Sequence, residues 1–404
     1  MGLPPNDGDC PRALQPLIGL RWVGGDTSQL GSLPVGGRLS AFLLFWESLD
    51  LDIWVRDTLR GGYLIPFIST PPLSMIPLIT PVPRDPLKEE LLRKEISNLL
   101  EKGAIEPLGA GDTTLGFFSH YFLAPKKDGS WRPILDLKRL NFYVRCEKFR
   151  METLTSVLQA VQPGDWMISL DLKDAYLHVP IAPGHRKFLR FAFRDPQGVL
   201  MRYQWKVLPF GLSTAPRVFT KIVAPLAGHL HARGIPLYPY IDDMFLNKRL
   251  RPQVLVSRDQ ALVTFLRAGF IINLKKSTLI PTQDLVHLGG RILSSRGVVL
   301  PPAPRVQSLL EAAREFQIRD TLTARQFLSY TGLMTSCIPM IPLCLFRVRP
   351  LTMHLLDHYS PGVDSLQKPI PLRDPVFQKA LIFWTSVDSL SQGVLLGLAV
   401  NSHR

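Results

Sequence analysis

Apolar and polar positions along the chain form blocks whose period changes several times. After Asp85-Pro86, Leu91, Leu92, Ile96, Leu99 and Leu100 recur at helical spacing. That spacing predicts a helix which Asp85 caps, Pro86 opens and Gly103 ends. The runs 120–125 and 133–137 read as strands around a turn at Asp128-Gly129. A short helix is expected over 151–161. In 166–171 the residues alternate, with Trp166, Ile168 and Leu170 on one face and Met167, Ser169 and Asp171 on the other. The segments 188–194 and 199–207 form a second hairpin around 195–198. A loop, 208–216, then feeds a helix that runs toward His231, with Ser213 or Thr214 as cap and Pro216 in its first turn. The apolar stretch 235–246 is broken only by Asp242-Asp243, which reads as the tip of a tight hairpin. A helix over 254–268, a strand over 270–274, a strand pair over 286–293 and two helices between 305 and 336 follow. Beyond these the chain is interrupted by prolines to about 375. The segment 374–404 reads as one short helix and an apolar stretch with no evident partner. Residues 1–38, rich in Gly and Pro without periodicity, read as a flexible lead.

The length of 404 residues suits two to three domains. Lys and Arg number 47 against 33 Asp and Glu, a net charge of +14, which suggests a polyanionic partner. The four cysteines, Cys10, Cys146, Cys337 and Cys344, include no C-x-x-C pair, so neither a zinc knuckle nor a disulfide framework is indicated. A reducing intracellular location, cytoplasm or nucleus, is the expectation. No apolar run is long enough to span a bilayer, so no membrane partner is expected. His354 and His358 are spaced i, i+4 but enclose Leu-Leu-Asp, which favours a solvated helix face over zinc. His229 and His231 are expected at the surface, or at most as phosphate contacts.

Candidate chemistry centres on Tyr240-Ile241-Asp242-Asp243. Adjacent carboxylates in apolar surroundings are costly unless compensated, and a hard divalent cation such as Mg²⁺ compensates them well. Taken alone, this stretch reads more simply as a polar turn whose aspartates cap the bend. Asp171, at the end of a strand, is a third candidate ligand. Lys126 and Arg132 flank the first hairpin's tip, where together they could reach a phosphate group. Gly211 permits close approach of the backbone to a ligand.

Taken jointly, Asp171-Leu-Lys-Asp-Ala-Tyr176, Leu208-Pro-Phe-Gly-Leu-Ser-Thr-Ala-Pro216 and Tyr240-Ile-Asp-Asp243 resemble the reverse transcriptases of retroviruses and LTR-type retrotransposons. Lys126-Lys-Asp-Gly-Ser-Trp-Arg132 resembles that family's fingers hairpin, and Lys275-Lys276 and His287-Leu-Gly-Gly290 fall where it has later palm motifs and the primer grip. The motifs cover roughly 119–293. Trp54 with Gly62-Tyr-Leu-Ile-Pro-Phe67 resembles the DIRS-like, tyrosine-recombinase retrotransposons in particular.

The resemblance implies an α+β right-hand polymerase with fingers, a palm built on an antiparallel sheet and a thumb-like helical region. The expected organisation is a lead over 1–38, an N-terminal extension packing on the fingers over 39–108, fingers and palm over 109–300, and a thumb or connection over 301–373. The segment 374–404 would start a connection to a ribonuclease H domain. It also implies roles. Asp171, Asp242 and Asp243 would be the catalytic metal ligands, with Asp243 in support. They would hold two Mg²⁺ about 4 Å apart, for which Mn²⁺ could substitute. Lys126 and Arg132 would bind the incoming triphosphate. Asp174, Ala175 and Tyr176 would line the nucleotide site, with Tyr176 excluding a 2′-hydroxyl. Phe210 and Gly211 would shape nucleotide and template contacts. Lys275 or Lys276 would protonate the leaving pyrophosphate. The implied partners are dNTPs and an RNA or DNA template–primer, held by the basic surplus largely without sequence readout. No strand-borne acid cluster of a ribonuclease H is evident after residue 300, so that activity is not expected here. A binding-only remnant of a mobile element is the rival reading.

Overall fold

The computed structural model describes residues 33–82, 85–109, 114–125, 131–195 and 197–397, apart from the side chains of Pro125, Arg132 and Pro133. Most of the expected lead, the tip of the first hairpin with Lys126, and 398–404 lie outside the described residues. The chain divides into two compact units: Met1–Met151, Leu170–Met244 and Val256–Leu279 form the first, and Glu152–Ser169, Phe245–Leu255 and Ile280–Arg404 the second. The positions 108 and 300, expected as domain boundaries, are not boundaries of these units.

In the first unit the helix Pro86–Glu101 begins as its sequence dictates, with the Asp85 side chain accepting from the Leu87 amide. Leu92, Ile96 and Leu99 are its buried stripe, whereas Leu91 and Leu100 flank the stripe and stay exposed. One sheet has the order Ile79–Thr80, Arg190–Arg194, Leu200–Trp205, Ile105–Pro107, its two central strands forming the expected second hairpin. The first hairpin pairs Tyr121–Pro125 with Trp131–Leu135, placing Ala124 opposite Arg132. A further sheet has the order Thr278–Thr282, Trp166–Asp171, Asp243–Lys248, Leu237–Tyr240. The strand Trp166–Asp171 is apolar on both faces, with Met167, Ile168 and Leu170 fully buried and Ser169 nearly so. Burial on both faces is the pattern of a central strand.

Two local expectations are corrected here. The strand expected over 270–274 shrinks to a single bridge, Leu172 with Ile272, because Phe270 turns into an aromatic cluster and 274–276 form a turn. Thr214 is the N-cap residue of the helix Ala215–His231 but makes no side-chain capping bond; its hydroxyl instead accepts from the Tyr63 hydroxyl at 3.0 Å. The segment 33–63 is fastened by hydrogen bonds to distant parts of the first unit. The Gly37 amide donates to Leu177, Arg38 Nε to Gly269, Trp46 Nε1 to Ala268 and the Tyr63 amide to Pro180. These bonds tie it both to the segment that follows Asp171 and to 268–269.

The second unit contains an antiparallel sheet of Asp284–His287, Gly290–Leu293, Val298–Leu300 and Val394–Leu395. The apolar stretch near the C-terminus thus has a partner, with Val299 opposite Val394. Helices Ala303–Ile318, Ala324–Thr335, Cys344–His358 and Pro375–Leu381 enclose Phe316, Phe327 and Phe377. His354 is not on a solvated face: it is buried, stacks on Phe377 with ring centroids 4.3 Å apart, and donates through Nε2 to the Pro371 carbonyl at 2.7 Å.

Candidate active site

The hairpin tip forms as its sequence implies, with Leu237–Tyr240 and Asp243–Lys248 on either side of a turn at Ile241-Asp242. Ile241 has a φ of 52°. A β-branched residue in the left-handed region is strained by roughly 1–3 kcal/mol, a cost typical of functional turns. The strain lets the tip fold back so that the Asp242 carbonyl accepts from the Leu172 amide at 2.7 Å, the residue next to Asp171. The two acids are therefore joined through backbone.

Asp171 is held from the other side as well. Its amide donates to the Ser277 hydroxyl at 2.9 Å and its carbonyl accepts from the Asn273 amide at 2.8 Å, while the Lys173 amide donates to the Ile271 carbonyl at 2.8 Å. Burial pushes the Asp171 carboxyl above its ordinary pKa; the neighbouring Asp242 adds to this, and Lys276 and Asn273 oppose it. Asp242, although its side chain opens to solvent at the turn, is raised by desolvation, with Asp243 adding to it and Lys276 opposing it. Both carboxyls are thus costly to ionise, chiefly through burial, a cost that a bound divalent cation would offset.

Among the described residues no three acidic, His or Cys side chains converge into a metal-binding cluster. Asp243 begins the strand that leads away from the tip, and its charge still adds to the raised pKa of both Asp171 and Asp242.

Tyr176 lies in a short 3₁₀ turn, Ala175–His178, buried between Phe210 and Phe219 with ring centroids 4.8 and 5.5 Å away. Burial, then the charge of Asp242, pushes its hydroxyl up to about 12, so it stays protonated. Phe210 is 60% exposed and forms the open side of this stack. Gly211 has a φ of 95°, which strains any other residue, and a Cβ there would crowd the Leu135 carbonyl at 3.2 Å. Ala175 is buried, leaving its side chain no access to a ligand. Asp174 is taken up by Lys102, whose Nζ lies 3.0 Å from its carboxylate, so a direct ligand role for that carboxylate is not supported. Lys275 and Lys276 are both exposed on the 274–276 turn, but Lys276 is the one whose charge reaches both Asp171 and Asp242.

Several residues here escaped sequence reasoning. Asn141 donates to the Gly211 carbonyl and accepts from the Ser213 amide, both at 2.9 Å, fixing the loop that carries Phe210. Ser277, Asn273, Lys102 and His178 are the others. Each is a polar residue near a turn, with no spacing signal to distinguish it from a solvated one.

The fold these elements build is that of the right-hand polymerases, mixed α and β, with paired acids at the tip of a hairpin and the end of its neighbouring strand. Residues 124–292 match the family described as Reverse transcriptase (RNA-dependent DNA polymerase). The Transposon Tf2-3 polyprotein of Schizosaccharomyces pombe is 26% identical over 323 residues, 78% of this chain and 23% of the relative; the Tf2-7 polyprotein of the same organism is 25% identical over the same length. This chain thus spans less than a quarter of the length of those relatives. The foamy viral protease-reverse transcriptase in complex with an RNA/DNA hybrid covers 85% of this chain and 45% of its own, with a TM-score of 0.58 and 16% identity. The dRH form of that protein with ds DNA gives 88%, 60%, 0.59 and 17%. At such identities the likeness is one of fold.

Proposed function

We propose that this chain is an RNA-directed DNA polymerase of a retrotransposon, extending a primer 3′-hydroxyl with dNTPs on an RNA or DNA template. The observation that carries the reading is the coupling of Asp171 and Asp242, two carboxyls from distant segments held beside each other by the bond from the Leu172 amide to the Asp242 carbonyl. The family match and the Tf2 relatives support it.

Asp171 and Asp242 would hold the Mg²⁺, two ions by resemblance, with Mn²⁺ as a substitute, and Asp243 would add charge from the next residue. Bound there, the metal lowers the pKa of the attacking hydroxyl and offsets charge on the phosphoryl group. The protein's own residues do the rest. The backbone ladder between 171–173 and 271–273 fixes Asp171, so that little reorganisation is needed at the moment of transfer. Tyr176, neutral and wedged against Phe210, presents a rigid edge to the sugar and excludes a 2′-hydroxyl by volume. Lys276, whose charge opposes the raised pKa of both Asp171 and Asp242, would stabilise and then protonate the departing pyrophosphate in preference to Lys275. Lys126 and Arg132 would grip the triphosphate from the fingers hairpin. Trp54 and 62–67 favour a DIRS-like element within the retrotransposons, and an intracellular site of action accords with the chemistry.

The test is primer extension by the intact protein on an RNA template with Mg²⁺ and dNTPs. Extension that Asp171→Asn and Asp242→Asn abolish supports the reading. No extension, with template–primer still bound, favours the binding-only remnant. Extension that survives both substitutions removes the assigned site.

A further inference from the structure

His178 is fully buried, yet it carries two ring nitrogens that must be satisfied. Its Nε2 lies 3.1 Å from the Ile271 amide. A backbone N–H can only donate, so Nε2 is the acceptor and the proton sits on Nδ1. Nδ1 in turn lies 3.3 and 3.2 Å from the carbonyls of Asp174 and Ala175, which can only accept. The ring is thus one fixed tautomer with every polar atom used. Burial pushes its pKa down to about 4, which keeps it neutral. It packs 5.1 Å from the Phe270 ring, centroid to centroid.

What the ring joins matters more than its own satisfaction. The backbone bonds from Asp171 to Lys173 zip that segment to Ile271–Asn273 and stop there. The chain then enters a left-handed residue, Asp174 with a φ of 52°, and the 3₁₀ turn that carries Tyr176. Backbone bonds close this turn on itself, Leu177 amide to Asp174 carbonyl, and fasten it to Gly37, but none joins it to the 271–273 segment. The imidazole does so, tying the carbonyls at its start to the first amide of the facing segment. That facing segment runs directly into the turn bearing Lys276.

We propose that His178 is a positioning residue for nucleotide transfer, a neutral brace that sets Tyr176 and the Lys276 turn in register with Asp171. The proposal rests on the polymerase reading for its consequence but not for its geometry. It acts through Tyr176 and Lys276 rather than by touching substrate.

The test compares His178→Phe, which keeps the packing on Phe270 but no hydrogen bond, with His178→Gln, whose amide offers one donor and one acceptor. In the Phe variant kcat for dNTP addition should fall roughly 10- to 100-fold. The KM for template–primer should stay near its wild-type value, and discrimination against rNTPs should fall. The Gln variant should recover most of the loss. Hydrogen exchange is the second readout: the Ile271 amide should lose protection in the Phe variant and regain it with Gln. A Phe variant with wild-type kcat and sugar selectivity overturns the proposal, as does a Gln variant no better than Phe. If the wild-type protein does not extend primers, the polymerase reading fails, while unchanged or lost protection at Ile271 still decides whether the brace exists.

Discussion

Replacing Asp242 by Asn should abolish polymerisation and yet stabilise the metal-free protein. Asp171 and Asp242 are both raised above the ordinary carboxylate pKa, chiefly by burial and further by each other or by Asp243. A carboxyl whose folded-state pKa is raised is penalised when it ionises. The associated stability is fully present below the unfolded-state pKa, near 4, and is lost as pH climbs through the raised value. At pH 7 to 8 the wild-type protein therefore carries the whole penalty, and Asn removes part of it. Because Asp242 opens to solvent, the gain is discounted to about 0.5–1 kcal/mol, or roughly 1–4 °C in Tm. Below about pH 4 the two proteins should melt alike. Adding Mg²⁺ at a hundredfold excess over its Kd should stabilise the wild type by about 2.7 kcal/mol and the variant much less, reversing their order. Extension should drop by at least about 10³-fold, equivalent to about 4 kcal/mol of barrier. Thermal melts across pH, with and without Mg²⁺, check this alongside primer extension. A variant less stable than wild type at neutral pH without metal, or one stabilised equally by Mg²⁺, refutes the reasoning.

Tyr176→Val should keep dNTP addition within about tenfold while raising rNTP incorporation, scored on gels with mixed nucleotides; unchanged selectivity removes its role as a gate. Lys276→Gln should slow single-turnover addition by roughly 10²-fold, with Lys275→Gln near wild type, and equal effects would reject the assignment of Lys276 alone. Gly62→Ala should destabilise by more than about 2 kcal/mol in denaturant melts. The reason is its φ of 86° and a new Cβ that would lie 2.4 Å from the Ala182 backbone nitrogen. A mild effect there would mean the N-terminal extension is not fastened to 180–182 as described.

Legibility followed the range of the physics involved. The helix Pro86–Glu101, both hairpins and the Asp242 tip could be read from sequence because caps, turn residues and period act over a few positions. The motifs around Asp171, Tyr176, Gly211 and Asp242 carried the candidate site by type and order. Sequence could not show that Trp166–Asp171 would be buried on both faces, that 270–274 would bend away from strand geometry, or that Val394–Leu395 would close a sheet a hundred residues upstream. Each of these depends on a partner distant in the chain. The same holds inside the site. Sequence grouped the candidate acids and lysines into strings, but only the folded backbone gave Asp174 to Lys102, brought the charge of Lys276 to bear on Asp171, and set His178 against Ile271. Local rules fix what a residue can do; which of those capacities is used depends on the groups that folding brings within hydrogen-bonding or charge range.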